Sequence, residues 1–406
     1  MSTRREVSKY SHEESRLKGF IRNLLNSLGI DSNVRTKIKQ IFRWGGYKPF
    51  ISNVNNTNYR KECLLIYIAA PFTTKAGKIS DDHQNHKQAV EMARVIGTFG
   101  YNVDVADFSH VYALRHIRGK YDLIIDISIC NSDIYPAIMN EGCKRVYYST
   151  GSSAKFAYEN EHKRLTDLEQ RRGVKLKPRR TATPNLKLET SIEGADAFWH
   201  MGNSYNIHTY DYLKLPPVYF IKNSGYNFDW LREDIIRDKH NFLFFGSVGQ
   251  VHKGLDLLLE IFGQEGFGYN LYVCSPFINE KDFYDEYRHE LFERPNIFPV
   301  GWMNINSPAF REITENCAYT ILPSCSEGCA GSVLTVMSAG VIPIISRECG
   351  IDGEGIVYLP DCKIETIERY IVECAEKPDE WIQEHSKQSV NIVRTRYSFE
   401  SFGQSV

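Results

Sequence analysis

The feature that most constrains the fold of this chain is an alternation of short apolar runs with segments of helical spacing, which starts at residue 63. Such alternation is typical of parallel sheets in which helices connect successive strands. The predicted strands lie at 63–68, 102–105, 122–127 and 145–148, and the predicted helices at 84–99, 111–117 and 133–139. Together these segments predict a doubly wound α/β unit.

The same alternation returns in the second half of the chain. The predicted strands lie at 241–245, 270–274, 296–300, 319–322 and 341–346. Helices are predicted at 253–262 and 308–317, from about 331, and beyond 364. Two such units in tandem leave a cleft between the carboxyl ends of their strands, where the ligands of open α/β sheets bind.

The predicted units and their flanking segments divide the chain into four regions. A turn-forming run of Asn, Ser and Gly at 223–225 separates the two units. The predicted regions are a helical extension at 1–60, a first unit at 61–222, a second unit at 223–390 and a C-terminal segment at 391–406 that crosses back to the first unit.

Length and composition exclude several classes of protein. The chain has 406 residues, more than one hydrophobic core usually supports. Its 49 basic and 50 acidic residues nearly cancel, which argues against nucleic acid as the main partner. The sequence shows neither a signal peptide nor an apolar run of membrane-spanning length, so we expect a cytoplasmic protein. The ten cysteines lack metal-ligand spacing and are expected to be free thiols.

The predicted extension at 1–60 combines apolar residues at helical spacing with basic residues between them. A basic amphipathic helix can lie on an anionic membrane surface, which would place the protein at the inner face of a membrane. The alternative is a helical extension packed on the body of the protein. The pattern alone does not separate a lipid-facing side from a protein-facing side.

A glycine-punctuated loop follows the first strand of the second unit. It runs from Gly246 to Gly254 and carries Lys253 just before a predicted helix. Glycines allow backbone N–H groups to approach a phosphate, and a lysine supplies a full positive charge. The loop is therefore a candidate diphosphate site, although similar loops are common in α/β proteins.

A second segment of small residues follows the strand at 319–322. It contains Glu327 and runs through Gly328 and Gly331 into a helix. A carboxylate next to free N–H groups can bind a sugar hydroxyl and a diphosphate together. In the alternative interpretation, Ser324 or Ser326 caps the following helix and the small residues at 338–340 only permit close packing.

In their order and spacing, these two segments resemble the donor domain of the retaining glycosyltransferase family 4, which has the GT-B fold. The resemblance covers about 241–350, and the first half of the chain matches only in architecture. It implies that Lys253 contacts the donor diphosphate and that Glu327 contacts the donor sugar, and we predict that both are catalytic. The resemblance and the cleft geometry together predict a donor site at Gly246, Ser247, Lys253, Ser275, Trp302, Glu327, Gly328, Cys329, Ala330, Gly331, Ser332 and Thr335.

Three positions depart from the family pattern. Thr335 stands where the family has a second glutamate that holds the ribose. Ser247 stands where an arginine often follows the first glycine of the loop, and Ala330 replaces the second glycine of the Glu-Gly-x-Gly run. Loss of a charge-assisted hydrogen bond at Thr335 would weaken donor affinity by about 10–150-fold unless another residue compensates.

The acceptor is expected at the first unit. The loop with Gly151, Ser152 and Ser153 follows a predicted strand, at the position of a cleft-lining segment. Arg164 belongs to a basic set with Lys163, Arg171 and Arg172 on a long, exposed predicted helix within 155–177, which could bind a phosphorylated lipid carrier. The alternative for these charges is a solvated helix face.

The resemblance implies transfer of a hexose from a nucleoside-diphosphate sugar, with retention at the anomeric carbon. No metal and no cofactor is expected: the chain lacks an Asp-x-Asp pair, and we interpret His83 and His86 as a solvated helix end. The predicted partners are the nucleotide sugar and a glycan or lipid-linked acceptor, as in the assembly of surface polysaccharides.

Two other classes of function compete with this interpretation. One is a catalytically inactive GT-B scaffold that binds glycan or a membrane. The other, a nicotinamide-dependent oxidoreductase, is disfavoured because no Gly-x-Gly-x-x-Gly run follows the first predicted strand.

Overall fold

The structure, a computed structural model, describes residues 48–73, 84–110, 115, 117–127, 132–180, 186–232 and 234–406. Residues 49–406 belong to one compact unit, which contains two separate sheets. The amphipathic helices predicted within the first 47 residues lie outside the described residues, as does most of the helix predicted at 111–117. Among the described residues, no helix is both long and apolar enough to cross a membrane.

The first sheet has seven strands in the order β1-β3-β2-β4-β5-β6-β7, and every neighbouring pair is parallel except β1 with β3. The strands are β1 Phe50–Ile51, β2 Lys61–Tyr67, β3 Tyr101–Asp107, β4 Tyr121–Asp126, β5 Met139–Ser149, β6 Ala197–His200 and β7 Val218–Phe220. The four strands predicted from the start of the first unit are confirmed. Because β1 pairs with β3, residues 49–60 belong with this sheet, and their assignment to a helical extension is wrong.

The helices of the first half connect these strands. They are α1 Gln84–Thr98, α2 Tyr135–Ile138, α3 Ala154–Arg172, α4 Leu186–Glu193 and α5 Ser204–Ile207. Helix α1 buries Ala89, Met92, Ala93 and Ile96, which recur every three or four residues and therefore form one apolar face. This face packs against β3 and β2, the latter buried at residues 63–67, and confirms the predicted helix.

The second sheet has six parallel strands in the order β10-β9-β8-β11-β12-β13. They are β8 Asp238–Phe245, β9 Asn270–Cys274, β10 Ile297–Pro299, β11 Cys317–Leu322, β12 Ile342–Ser346 and β13 Val357–Leu359. Every residue of β11 and β12 is buried, as expected for a parallel sheet with both faces covered. The five predicted strands are confirmed, and the sheet order reverses between β8 and β11.

Eight helices of the second half complete the described part of the chain. They are α6 Leu255–Phe262, α7 Lys281–Glu286, α8 Arg288–Glu293, α9 Pro308–Asn316, α10 Gly331–Met337, α11 Ile364–Ala375, α12 Asp379–Arg396 and α13 Phe399–Ser405. The last of them, α13, lies against α1 of the first half. We call residues 49–222 the first lobe and residues 234–396 the second lobe.

Helix α3 departs most from its sequence interpretation. It begins after Ser153, whose hydroxyl accepts a hydrogen bond from the Phe156 N–H, and it ends at Gly173 in a left-handed conformation. The sequence predicts an exposed helix, but Glu161, Arg164, Leu165 and Leu168 are buried. The helix packs against the second lobe, so the charges on this face are neither solvated nor free.

A buried arginine ties together the helices behind the second sheet. Arg237 donates to the Thr314 carbonyl at 3.0 Å, to the Ser386 hydroxyl at 2.8 Å and to the Ala339 carbonyl at 2.5 Å. These acceptors belong to α9, to α12 and to the turn after α10. Burial lowers the pKa of Arg237 to about 10, so the side chain remains charged at neutral pH.

We therefore expect Arg237→Ala to lower the free energy of unfolding by about 3 kcal/mol, because three acceptors lose their buried donor. Urea denaturation at pH 7 measures this change. Arg232→Ala is the control, since Arg232 is 59% exposed and pairs with the nearby Asp234 on the surface. Equal stability of the two variants would show that Arg237 has no structural role.

Candidate active site

The two motif segments lie next to each other because their strands are neighbours. Strands β8 and β11 pair in parallel, with Phe242 opposite Tyr319 and Leu243 opposite Thr320. Their carboxyl ends therefore meet at one edge of the sheet, where the strand order reverses. In open α/β sheets this is the position at which ligands bind.

At this edge Lys253 and Glu327 form an ion pair, with the ammonium group on Oε1 of the carboxylate. Both side chains are buried, with exposures of 4% and 9%. The Ser324 hydroxyl also donates to Oε1, at 3.2 Å. The structure thus brings together the two residues predicted to be catalytic, although they belong to different loops.

The environment keeps Glu327 ionised. Burial alone would raise its pKa, but the positive charges of Lys253 and Arg180 outweigh this effect and lower the pKa to about 2. At neutral pH the carboxylate therefore only accepts hydrogen bonds and has no proton to donate.

Two backbone N–H groups of the glycine loop form hydrogen bonds within the protein itself. The N–H groups of Gly249 and Gln250 donate to the buried carboxylate of Glu280, at 2.5 and 3.2 Å. The Ser275 hydroxyl is fully buried and donates to the Gln250 side chain at 2.6 Å. Ser275, which the sequence assigned to the donor site, therefore braces the loop.

The remaining predicted donor residues differ in how far they are exposed to solvent. Gly246 is half-buried, Ser247 is exposed, and the Trp302 side chain is 59% exposed. Gly328, Cys329 and Ala330 are buried, whereas Gly331 and Ser332 at the start of α10 are half-buried.

Two of the predicted donor groups are already engaged within the protein. The Ala330 amide donates to the Cys349 carbonyl at 2.8 Å, so this amide is not free to face a sugar or a phosphate. The Thr335 hydroxyl donates to the Gly331 carbonyl at 2.8 Å, within the same helix. Thr335 therefore offers no replacement for the family's second glutamate in this conformation.

The predicted acceptor loop touches the donor segment directly. The amide and hydroxyl of Ser152 both donate to the Glu327 carbonyl, at 3.0 and 2.7 Å. The Asn206 side chain donates to the same carbonyl at 3.2 Å. Ser153 does not face the cleft: it is fully buried, caps α3, and donates to the Thr209 carbonyl.

Arg164, the fourth predicted acceptor residue, is buried, and its guanidinium donates to the Pro323 carbonyl at 2.7 Å. It lines a second cavity of about 610 Å³, apart from the cavity that Gly151 and Ser152 line. Arg171 and Arg172 are held in ion pairs with acidic residues of the second lobe. The three arginines of the basic set thus form structural contacts with the second lobe, whereas Lys163 is exposed and pairs with Asp167 on the same helix.

The cavity at the meeting point of the two loops has a volume of about 560 Å³. Both lobes line it with polar and aromatic groups. The lining residues include Gly151, Ser152, Arg180, Tyr210, Tyr212, His252, Glu327 and Gly328. Among the described residues, no cluster of three His, Cys, Asp or Glu side chains is arranged to hold a metal ion.

Sequence reasoning missed several charged or titratable residues of this cavity, among them Arg180 and His252. Burial lowers the pKa of His252 to about 4, so its imidazole is neutral at pH 7. Nε2 lies 2.5 Å from the Ser326 carbonyl oxygen and therefore carries the proton. His252 directly precedes Lys253 in the glycine loop, but its protonation state depends on burial, which the sequence does not show.

Comparison with solved structures shows that the chain has the GT-B fold. It resembles sucrose-phosphate synthase from Thermosynechococcus elongatus with a TM-score of 0.57 and 14% identity, over 85% of this chain and 97% of that one. It resembles HepE from Anabaena, solved with UDP and glucose, with a TM-score of 0.54 and 12% identity over 85% and 98%. It resembles S. aureus TarM, solved with UDP among its ligands, with a TM-score of 0.52 and 12% identity over 75% and 59%. No protein-family model and no curated protein sequence matches the chain.

Glu327 makes stability depend on pH in the acid range. Its pKa is about 2 in the folded protein against an ordinary 4.5, so its contribution is complete above pH 4.5 and is lost as the pH falls toward 2. We expect Glu327 to account for about 3 kcal/mol of the stability that wild type loses over this window, so Glu327→Gln should lose correspondingly less. Urea titrations at several pH values measure this. Glu373→Gln, at a half-exposed site, is the control and should lose as much stability between pH 4.5 and pH 2 as wild type. An equal loss in Glu327→Gln would contradict the lowered pKa of Glu327.

Gly328 sets how closely the lobes approach. A Cβ atom at this position would overlap the Thr150 carbonyl oxygen and lie 2.6 Å from the Met201 carbonyl oxygen. We expect Gly328→Ala to lower the free energy of unfolding by about 1–3 kcal/mol, because backbone atoms of the first lobe must move. Gly268→Ala is the control, since no heavy atom of the described residues lies within 4 Å of a Cβ there. Equal denaturation midpoints would rule out this close contact.

Proposed function

We propose that this chain is a glycosyltransferase that moves a hexose from a nucleoside-diphosphate sugar to a glycan or lipid-linked acceptor, with retention at the anomeric carbon. The observation that carries the proposal is the buried Lys253–Glu327 pair at the switch point of the second sheet. Of this pair, Glu327 lines a cavity to which both lobes contribute. The GT-B fold and neighbours solved with UDP support the same class of donor.

Lys253 is proposed to hold the leaving diphosphate. Its ammonium group is buried and is already bound to a carboxylate, so an incoming diphosphate would exchange one anionic partner for another. A cation held in a site of low dielectric stabilises negative charge as it develops on the leaving group. Under this proposal the protein's own positive charge offsets part of the charge of the diphosphate, and no divalent metal or other cofactor is required.

Glu327 is proposed to bind the donor sugar. With a pKa of about 2 it remains a carboxylate throughout the reaction, so it accepts a hydrogen bond from a sugar hydroxyl and does not act as a general acid. Orientation of the sugar by this bond would expose the anomeric carbon to the first lobe. There the bond from the anomeric carbon to the diphosphate oxygen breaks, the acceptor hydroxyl oxygen forms the new bond to that carbon, and the hydroxyl proton passes to the departing diphosphate.

The acceptor is proposed to enter from the side of the first lobe. Gly151, Ser152, Tyr210 and Tyr212 line that wall of the cavity. Hydroxyl groups and tyrosine rings suit the polar edges and apolar faces of a sugar. We propose a role in the assembly of surface polysaccharide or a related glycoconjugate, in the cytoplasm or peripherally at the inner face of a membrane.

Thermal-shift and calorimetric titrations with UDP, GDP, ADP and their common sugars test the proposal. We expect wild type to bind one of these series and to hydrolyse the sugar nucleotide slowly. Lys253→Ala should weaken binding about 10–150-fold, because a charge-assisted contact with the diphosphate is lost. Glu327→Ala should abolish turnover.

The control is Arg94→Ala, since Arg94 lies on the surface of α1 and pairs with Glu91 on the same helix. Melting curves without ligand establish that each variant is folded. Absence of both binding and turnover in wild type would overturn the proposal and favour a catalytically inactive scaffold. Binding without turnover in the presence of many acceptors would also favour that alternative.

A further inference from the structure

The candidate donor site contains a second cation that belongs to the first lobe. The guanidinium of Arg180 lies 3.6 Å from Oε2 of Glu327, while Lys253 occupies Oε1 of the same carboxylate. Arg180 also lines the 560 Å³ cavity together with His252 and Gly328. Two cations on one carboxylate leave an excess of one positive charge, which suits an anionic ligand.

The side chain of Arg180 lies across the glycine loop. A Cβ atom at Gly249 would overlap Cγ of Arg180 and lie 3.1 Å from its Cδ. Gly249 also has a φ of 92°, which side chains rarely adopt, so glycine is needed here for two reasons. The arginine thus covers the loop that also carries Lys253.

Within the glycine loop at 246–254, Lys253 is the only residue that carries a full charge. Arg180 reaches the same loop from another part of the chain. The second cation is therefore present in the structure, although the loop sequence lacks it.

The segment that delivers Arg180 is anchored to the second lobe. We call residues 154–180, which comprise α3 and its extension, the strap. Arg171 pairs with Asp256 and Glu260, and Arg172 pairs with Glu286 and Glu290. All four acidic partners lie on α6, α7 or α8. These contacts fix the end of α3 on the second lobe, close to the loop.

The last residues of the strap are held by their backbone. The buried carboxylate of Glu161 accepts hydrogen bonds from the N–H groups of Arg179, at 2.8 Å, and Arg180, at 3.0 Å. The Arg179 side chain pairs with Asp282. The chain is thus turned at 179–180 so that one arginine points to α7 and the other to Glu327.

We propose that Arg180 binds the donor diphosphate together with Lys253, and that the donor site is complete only when the strap is docked on the second lobe. The inference rests on the proposed function and adds a residue and a conformational requirement to it. The strap begins directly after the loop that carries Gly151 and Ser152, so strap docking and closure of the cleft use the same segment of chain.

Calorimetric titration with UDP, GDP, ADP and inorganic pyrophosphate tests the role of Arg180. Pyrophosphate contains the charged part of the ligand without a base or sugar. Arg180→Ala should weaken binding of pyrophosphate and of the preferred nucleotide by about 10–100-fold, since a charge-assisted contact is lost. Arg180→Lys should lie in between, because it keeps the charge but not the two-pronged geometry. Arg369→Ala is the control, since Arg369 is 56% exposed and pairs with Glu373 on its own helix.

Unchanged affinity in Arg180→Ala, with wild type binding normally, would overturn this inference and leave the proposed function intact. If wild type binds none of the four ligands, both this inference and the proposed function are overturned. Melting curves without ligand should agree for Arg180→Ala and wild type, because the side chain is partly exposed and contacts Glu327 at the edge of the ion pair.

A double-mutant cycle tests the role of the strap. Arg172→Ala removes the pairs with Glu286 and Glu290 without leaving the fully buried Asp256 unpaired. If Arg172 acts by placing Arg180, Arg172→Ala should weaken pyrophosphate binding in wild type but not in the Arg180→Ala background. Equal losses in both backgrounds would show that the strap does not act through Arg180.

Discussion

The arrangement of the second lobe depends on one buried ion pair. Lys253 and Glu327 are nearly inaccessible to water, and a buried charge is tolerated only when it is paired and hydrogen-bonded. The pair forms because the two loops follow strands β8 and β11, which are parallel neighbours at the point where the strand order reverses. Sheet topology, rather than any local motif, brings the two charges together.

Glu327 also connects this pair to the first lobe. Its carbonyl accepts hydrogen bonds from Ser152 and Asn206, and its carboxylate faces Arg180. Gly328 allows the contact, because any side chain there would meet backbone atoms of the opposite lobe. A ligand that draws Lys253 or Arg180 away from Glu327 would therefore act on the residue that joins the lobes, which links occupancy of the site to closure.

Which elements the sequence predicts correctly depends on the physical origin of each pattern. The buried strands β2, β8 and β11 were predicted because parallel strands covered on both faces are continuous apolar runs. The edge strands β1 and β13 and the short strand β6 were missed, since two to four residues carry no clear period. The bounds of helix α3 are predicted to within a few residues, but the helix is wrongly predicted to be exposed. In a sequence, a charged side chain that faces water cannot be distinguished from one that pairs with an acidic residue on another helix.

The sequence by itself determined the two α/β units, the loop with Lys253 and the segment with Glu327, because these features arise from residues close together in the chain. Only the tertiary structure decided that the two side chains pair, that Ser153 and Ser275 serve the fold, and that Arg180 enters the site. The physical reason is that strand periodicity acts between neighbouring residues, whereas the partner of a charge is set by which strand ends lie side by side and which helix packs across the cleft.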